Sequence, residues 1–219
     1  MTKRLARWRR PPTIGRVTTS APDRRADIVR VALDVLEESG LEATSLRAVA
    51  GKLGVRMNTV LWHVKTKARL RELMADAILD SIDLDGLPDG PRERVVELAH
   101  RYRAALLAHR DGGRVVAGTF TDGPGTLGTA DALIGALAGL GLDDRQADWT
   151  CWTIVYFAIG LVVEEQGSAE SPKLRPETPS TLEPYPHLRR VLLREANDRF
   201  DDRFTFGLDL ILTSASGPR

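Results

Sequence analysis

The chain is expected to fold as an all-α protein, and three observations lead there. Apolar side chains recur every three or four residues in one segment after another, the period of a helix with one buried face. Clusters of glycine, proline and aspartate separate those segments, and no strand pair, repeat array or heptad run competes with the helical pattern. At 219 residues the chain is long enough to bury a real core, as one large or two small domains.

Residues 1–22 show no periodicity. They mix Pro11, Pro12 and Pro22 with Lys3, Arg4, Arg7, Arg9, Arg10 and Arg16, all ahead of the first acid, Asp23. This composition predicts a disordered basic arm, a solvated tail in preference to a segment lying along a nucleic acid groove. It lacks the apolar core of a signal peptide. A first helix is expected over 23–39, where Ile28, Val31, Ala32, Val35 and Leu36 form an amphipathic stripe that Gly40 ends.

The stretch 44–67 reads as two short helices meeting at a tight turn. Leu46, Val49, Ala50 and Leu53 recur at helical spacing after Thr44, which stands where an N-cap belongs. Gly54 stops that helix, Val55 plugs the turn, and a second helix runs over about 58–64 with Val60 and Val64 facing inward. This is the pattern of a helix-turn-helix, whose second helix enters the DNA major groove. Thr44, Ser45, Arg47, Arg56, Lys65 and Lys67 are placed to approach the backbone. Met57, Asn58, Thr59, Leu61, Trp62 and His63 form a short surface for base edges and sugar-phosphate, since Asn pairs with adenine and apolar groups touch thymine methyls. An ordinary αα-hairpin with solvated basic residues would share the spacing. A fourth helix over 67–81 (Leu70, Leu73, Met74, Ala77, Ile78) closes the module at 23–82 and leads out of it as a lever.

Residues 83–91 are a linker. A long helix follows to about His109, with Val95, Leu98, Ala99, Tyr102 and Leu106 inward. Residues 114–128 carry weak signals, 131–140 look helical, and Asp143 or Asp144 caps a helix reaching about Gln166. The five prolines between 167 and 187 predict a mobile loop, before a last helical region over 187–213. The apolar run 149–163 is shorter than the roughly 20 residues a bilayer needs, so it is expected to be a buried helix and not a membrane span.

Net charge is +1, so any nucleic-acid affinity must come from uneven placement of charge. The single Cys151 forms no internal disulfide, fits a reducing, cytoplasmic compartment, and lies in an apolar helix as a buried thiol. Gly123 to Gly128 spell G-x-G-x-x-G, but without a βαβ frame they are expected to be a flexible loop and not a dinucleotide cradle. His63, His100, His109 and His187 are too scattered for a metal site. No spacing supports a catalytic nucleophile or carboxylate pair, so neither an enzyme nor a cofactor is expected.

Residues 24–79, including LEESGLEATSLRAVAGKLGV and WHVKTK, resemble the DNA-binding domain of the tetracycline-repressor (TetR) family. LLAHRDGGRVVAGT at 106–119, GLVVEEQ at 160–166 and FTFGLDLIL at 204–212 are similar to the regulatory domain of its tetracycline-responsive members. The resemblance implies a ligand-binding and dimerisation domain over 83–219, and a homodimeric repressor that binds a palindromic double-stranded DNA operator and is released by a small-molecule effector. An effector-independent regulator or an activator of the same architecture is the alternative. It also implies a pocket lined by Asp83, Leu98, Tyr102, Val116, Thr119, Phe120, Trp149, Trp152, Tyr156 and Glu164. In tetracycline-responsive relatives the position of Val116 is a histidine that holds drug-bound magnesium, and that of Phe120 a nearby arginine. Valine cannot ligate Mg²⁺, which requires oxygen-rich coordination, so the expected effector is lipophilic and metal-free.

Overall fold

In the computed structural model, which describes residues 24–119, 121–170, 182–192 and 199–215, the helical periods become ten helices among the described residues. The first four build a small head: α1 (Arg24–Ala43), α2 (Leu46–Lys52), α3 (Met57–Val64) and α4 (Lys67–Asp80). Ile28, Val31, Ala32, Val35 and Leu36 of α1 meet Val49 and Ala50 of α2, Val60 and Val64 of α3, and Leu70 and Met74 of α4 in one buried cluster. Each large apolar side chain so enclosed contributes about 1.5–3 kcal/mol. Gly40 breaks α1 at φ +76, a conformation only glycine adopts without strain, so the chain turns into a last short turn before α2.

The N-cap of α2 is Ser45, not Thr44. Ser45 is extended, and its hydroxyl accepts from Ala48 N at 3.2 Å. Thr44 is buried and its hydroxyl donates to Gly40 O at 2.9 Å, bracing the break in α1. Gly54, at φ +66, closes the C-terminus of α2, with Val55 N reaching back to Ala50 O at 3.0 Å.

The C-terminal region comprises α5 (Pro91–Leu107), α6 (Gly112–Val116), α7 (Pro124–Ala138), α8 (Asp144–Glu170), α9 (Pro186–Leu192) and α10 (Phe200–Ala215). Leu98, Ala99 and Leu106 of α5, Leu133 and Leu137 of α7, Ile154, Ala158 and Val162 of α8, and Phe204, Leu208 and Leu212 of α10 form its interior. The G-x-G-x-x-G stretch is not a loop. Gly123 is the N-cap of α7 and Pro124 its first residue, where the missing N–H costs nothing. α7 thus starts well before the expected 131, because glycines and threonines masked its opening turns. α8 is capped by reciprocal bonds between Asp143 and Gln146 (2.9 and 2.8 Å) and runs on to Glu170, into the stretch expected to be a loop. The basic arm, and residues 171–181 of the expected proline-rich loop, lie outside the described residues.

Among the described residues α8 alone is long and apolar enough to cross a membrane by length and composition. It is not a wholly buried helix. Ala147, Cys151, Ile154, Ala158 and Val162 pack inward, while Trp149, Thr153, Tyr156, Gly160 and Glu164 form an outward stripe.

Candidate functional site: a recognition surface, an interior wall and the joint between them

Val60 and Val64 anchor α3 from below, so the intervening residues face out. Arg47, Arg56, Met57, Asn58, Thr59, Trp62 and Lys67 are exposed, Ser45, Leu61 and His63 are half-buried, and Thr44 presents no surface. Trp62 is 73 % exposed, with the Lys65 ammonium 4.7 Å from its ring centroid. Lys65 takes φ +64 to end α3, and Thr66 then caps α4 by accepting from Arg69 N at 2.9 Å. The surface therefore joins a short apolar and amide-bearing strip to flanking cations. It can contact base edges through the strip and phosphates through the cations.

The ten residues expected to line one pocket are divided by the structure. Leu98, Tyr102 and Val116 are buried side chains of the interior, with Thr119 half-buried beside them and its hydroxyl donating to Val116 O at 2.7 Å. Burial pushes the Tyr102 phenol upward and the neighbouring Cys151 thiol up to about 11, so both stay protonated at neutral pH. Trp149, Tyr156 and Glu164 instead project from the outer face of α8, with half-buried Trp152 stacked on Tyr156 at 5.4 Å. Asp83 is exposed, its carboxylate accepting from Asp85 N at 2.9 Å, and is not part of the interior wall. Phe120 lies outside the described residues. The parity of α8 explains the split: 149, 156 and 164 fall on the face opposite 147, 154 and 162. Val116 offers only methyl groups, so this position cannot ligate a magnesium ion, while Glu164 lies on the face of α8 from which a side chain could reach only a second copy. Among the described residues no group of three or more His, Cys, Asp or Glu is placed to hold a metal.

Several contacts that sequence reasoning missed join head to core. Arg71 of α4 donates to Val115 O (3.0 Å), Ala117 O (2.6 Å) and Arg114 O at the end of α6. Asp76 of α4 accepts from Thr126 N and its hydroxyl, both at 2.9 Å, and from the Thr121 hydroxyl at 3.3 Å, capping α7 from outside. Asp111 accepts from Leu41 N at 2.8 Å, while Glu37 accepts from Arg110 N at 3.1 Å and pairs with His109 at 2.8 Å. Burial alone would raise the Asp111 carboxyl, but the Leu41 amide and the Arg114 guanidinium outweigh it and hold the group below the usual range. No local pattern marks these residues, since each partner is over 40 positions away in the chain.

A family model described as "Tetracyclin repressor-like, C-terminal domain" matches residues 87–214. The chain is 35 % identical over 178 residues, 80 % of each chain, to the tetracycline repressor protein class A from transposon 1721 of Escherichia coli. Among solved structures it is similar to a possible TetR family transcriptional regulator from Streptomyces coelicolor A3(2), at 37 % identity and a TM-score of 0.75 over 87 % of this chain and 97 % of that one. It is also similar to a single-substitution variant of TetR from Acinetobacter baumannii AYE in complex with minocycline, at 28 % identity and a TM-score of 0.67 over 85 % and 93 %.

Proposed function

The chain belongs to the TetR family, whose members are transcriptional regulators and not enzymes, and from that premise we propose that it is a homodimeric repressor whose two heads grip a palindromic operator and let go when a lipophilic, metal-free effector occupies the C-terminal domain. The observation that carries the dimer is the outer face of α8 and α10. Trp149 (58 % exposed), Tyr156 (65 %), Phe206 (67 %) and Leu210 (53 %) are large apolar groups that a chain on its own leaves in water. A second copy packing this face across a two-fold axis makes a four-helix bundle and buries all of them. The same pairing accounts for α8 being apolar on both sides without a membrane.

Two heads related by that axis present two α3 helices to half-sites about one helical turn, or a multiple of it, apart. The interior wall of Leu98, Tyr102 and Val116 favours an effector of largely apolar surface. Occupancy changes DNA affinity only by as much as the effector prefers one head spacing over the other. The test is selection of duplexes from a random library, followed by gel shift and sedimentation of the complex. The expected result is a palindrome bound by two chains and weakened by lipophilic compounds added without metal. Binding by one chain to a site without symmetry overturns the proposal.

A further inference from the structure

A buried charge holds one end of α10. Arg103 of α5 is only 7 % exposed. Its Nη1 donates to the carboxylate of Asp201, in the first turn of α10, at 2.9 Å, and its Nη2 to the Glu165 carboxylate of α8 at 2.5 Å. The guanidinium carbon lies 5.4 Å from the ring centroid of Phe204. Its Nε is buried and has no acceptor. An ion pair with a donor left unsatisfied is a poor way to stabilise a core, where an apolar side chain of similar volume serves as well or better. What such a pair does well is to reject arrangements that part its members, because each of those leaves a guanidinium buried alone.

α10 is an element that needs this kind of selection. Phe204, Leu208 and Leu212 are buried on one side, while Phe206 and Leu210 are exposed on the opposite side, so the helix is apolar on both. Hydrophobic burial is non-directional and does not set the angle at which such a helix lies. One contact fixes its middle. The ring of Phe157 of α8 stacks on Phe204 (5.7 Å, interplanar 3°) and covers Gly207, where a Cβ would lie 2.2 Å from Phe157 Cζ. A single point of close approach leaves α10 free to swing about it. Arg103 supplies a second point, since Asp201 stands six residues, about 9 Å of helix, before Gly207. The other Asp201 oxygen meets exposed Arg199 at 3.3 Å, a contact local to the same segment. A further pair, Arg92 with Asp209 at 3.1 Å, is exposed and close to Gly207 in the chain, and pairs of that kind contribute little.

We propose that Arg103 is the positioning residue of the dimer face. By holding Asp201 against Glu165, it sets the inclination of α10 across α8, and with it the placement of Phe206 and Leu210 beside Trp149 and Tyr156. The inference rests on the dimer reading above, in which those four side chains meet a second copy. Neither carboxylate depends on Arg103 for its solvation: the Asp201 side chain is 57 % exposed and that of Glu165 28 %. Removing the guanidinium therefore orphans no charge in the interior, and the loss falls on the geometry of the face and not on folding.

The experiment measures the dimer dissociation constant by fluorescence-detected sedimentation of N-terminally labelled full-length protein over a dilution series. Arg103→Met keeps the stem over Phe204 and removes the guanidinium. Asp201→Asn leaves Arg103 paired with α8 and weakens only its tie to α10. Both should raise the dissociation constant by about tenfold or more, the factor one charge-assisted bond supplies. Arg92→Met, which removes the exposed pair, should change it by less than about twofold. Hydrogen exchange, read well above the dissociation constant, should quicken at 201–206 in Arg103→Met and stay unchanged at 95–106. In a Trp149→Glu, Tyr156→Glu background, where the dimer is broken, Arg103→Met should leave the urea midpoint unchanged. An unaltered dissociation constant in Arg103→Met and Asp201→Asn overturns the inference, and so does a urea midpoint of the monomer that falls in step with dimer affinity; both outcomes leave the dimer reading standing. A wild type that is monomeric across the whole dilution series overturns both.

Discussion

Gly125→Ala and Gly135→Ala place the same methyl group on the same helix, and the structure assigns them opposite signs. Helix propensity favours alanine over glycine by about 1 kcal/mol in a helix interior, where Gly135 lies, and by less at Gly125 in the first turn of α7. At Gly135 nothing lies within 4 Å of the new Cβ, so that gain stands alone. At Gly125 the Cβ would meet Asp76 O and Asp80 N at 2.4 Å and Asp80 Cα at 2.8 Å, all backbone atoms that cannot rotate away. Restoring ordinary contact requires α4 and α7 to part by about 1 Å, an overpacking strain of about 1–3 kcal/mol. That movement also stretches the 2.9 Å bonds from Thr126 to Asp76, which as bonds to a charged group contribute about 1.5–3 kcal/mol each. After subtracting the propensity gain, Gly125→Ala is expected to destabilise by roughly 2–4 kcal/mol. For a chain of this size that lowers Tm by about 5–15 °C, whereas Gly135→Ala raises it by about 1–4 °C. The assay is calorimetry of both full-length variants at one protein concentration, because a dimer's Tm depends on it. A Gly125→Ala protein as stable as the wild type would show that the α4–α7 approach is not tight.

Four further outcomes are expected. Trp149→Glu with Tyr156→Glu should yield a soluble monomer by sedimentation, with operator affinity falling by about a hundredfold or more as avidity is lost. Lys67→Ala should weaken binding to all duplexes and reduce the slope of log affinity against log salt by about 0.9, while Asn58→Ala should cost about 1–3 kcal/mol on the selected operator and little on random DNA. The buried Cys151 thiol, pushed up to about 11, keeps its proton when folded and gives it up near 9 when unfolded, so stability should decline between those values and the native thiol should resist alkylation near neutrality. Asp111 has the opposite sense. Its lowered value means a stabilising contribution present above the ordinary aspartate range and lost as pH falls through the folded value, so Asp111→Asn should flatten the acid limb of urea midpoints.

The elements with strong apolar period were legible in the chain: α1, the α2–α3 pair, α4 and α5 follow from Val, Leu and Ile spacing and from glycines at Gly40 and Gly54. α6 and the start of α7 were not, because Gly112, Gly113, Gly123, Gly125 and Gly128 carry no side chain to mark a face. The Gly123–Pro124 pair was the available signal, a proline at the first helical position. Of the residues named for the recognition surface, Thr44 alone is buried, because Ser45 has equal claim to a cap until the break at Gly40 turns Thr44 inward. The described residues of the expected pocket fall on two faces of one chain. They came from resemblance, which ranks positions along the chain but cannot say toward which side of α8 a tryptophan points.

The chain by itself determined that the protein is helical, about where its first five helices begin and end, and that a helix-turn-helix stands near its front, because these depend on interactions within a few residues. Only the tertiary structure decided that α4 is held by Arg71 at one helix end and Asp76 at another, and that Trp149 and Tyr156 face outward while Tyr102 and Val116 face in. Those facts depend on groups far apart in sequence whose meeting is set by the packing of whole helices, and no local period records it.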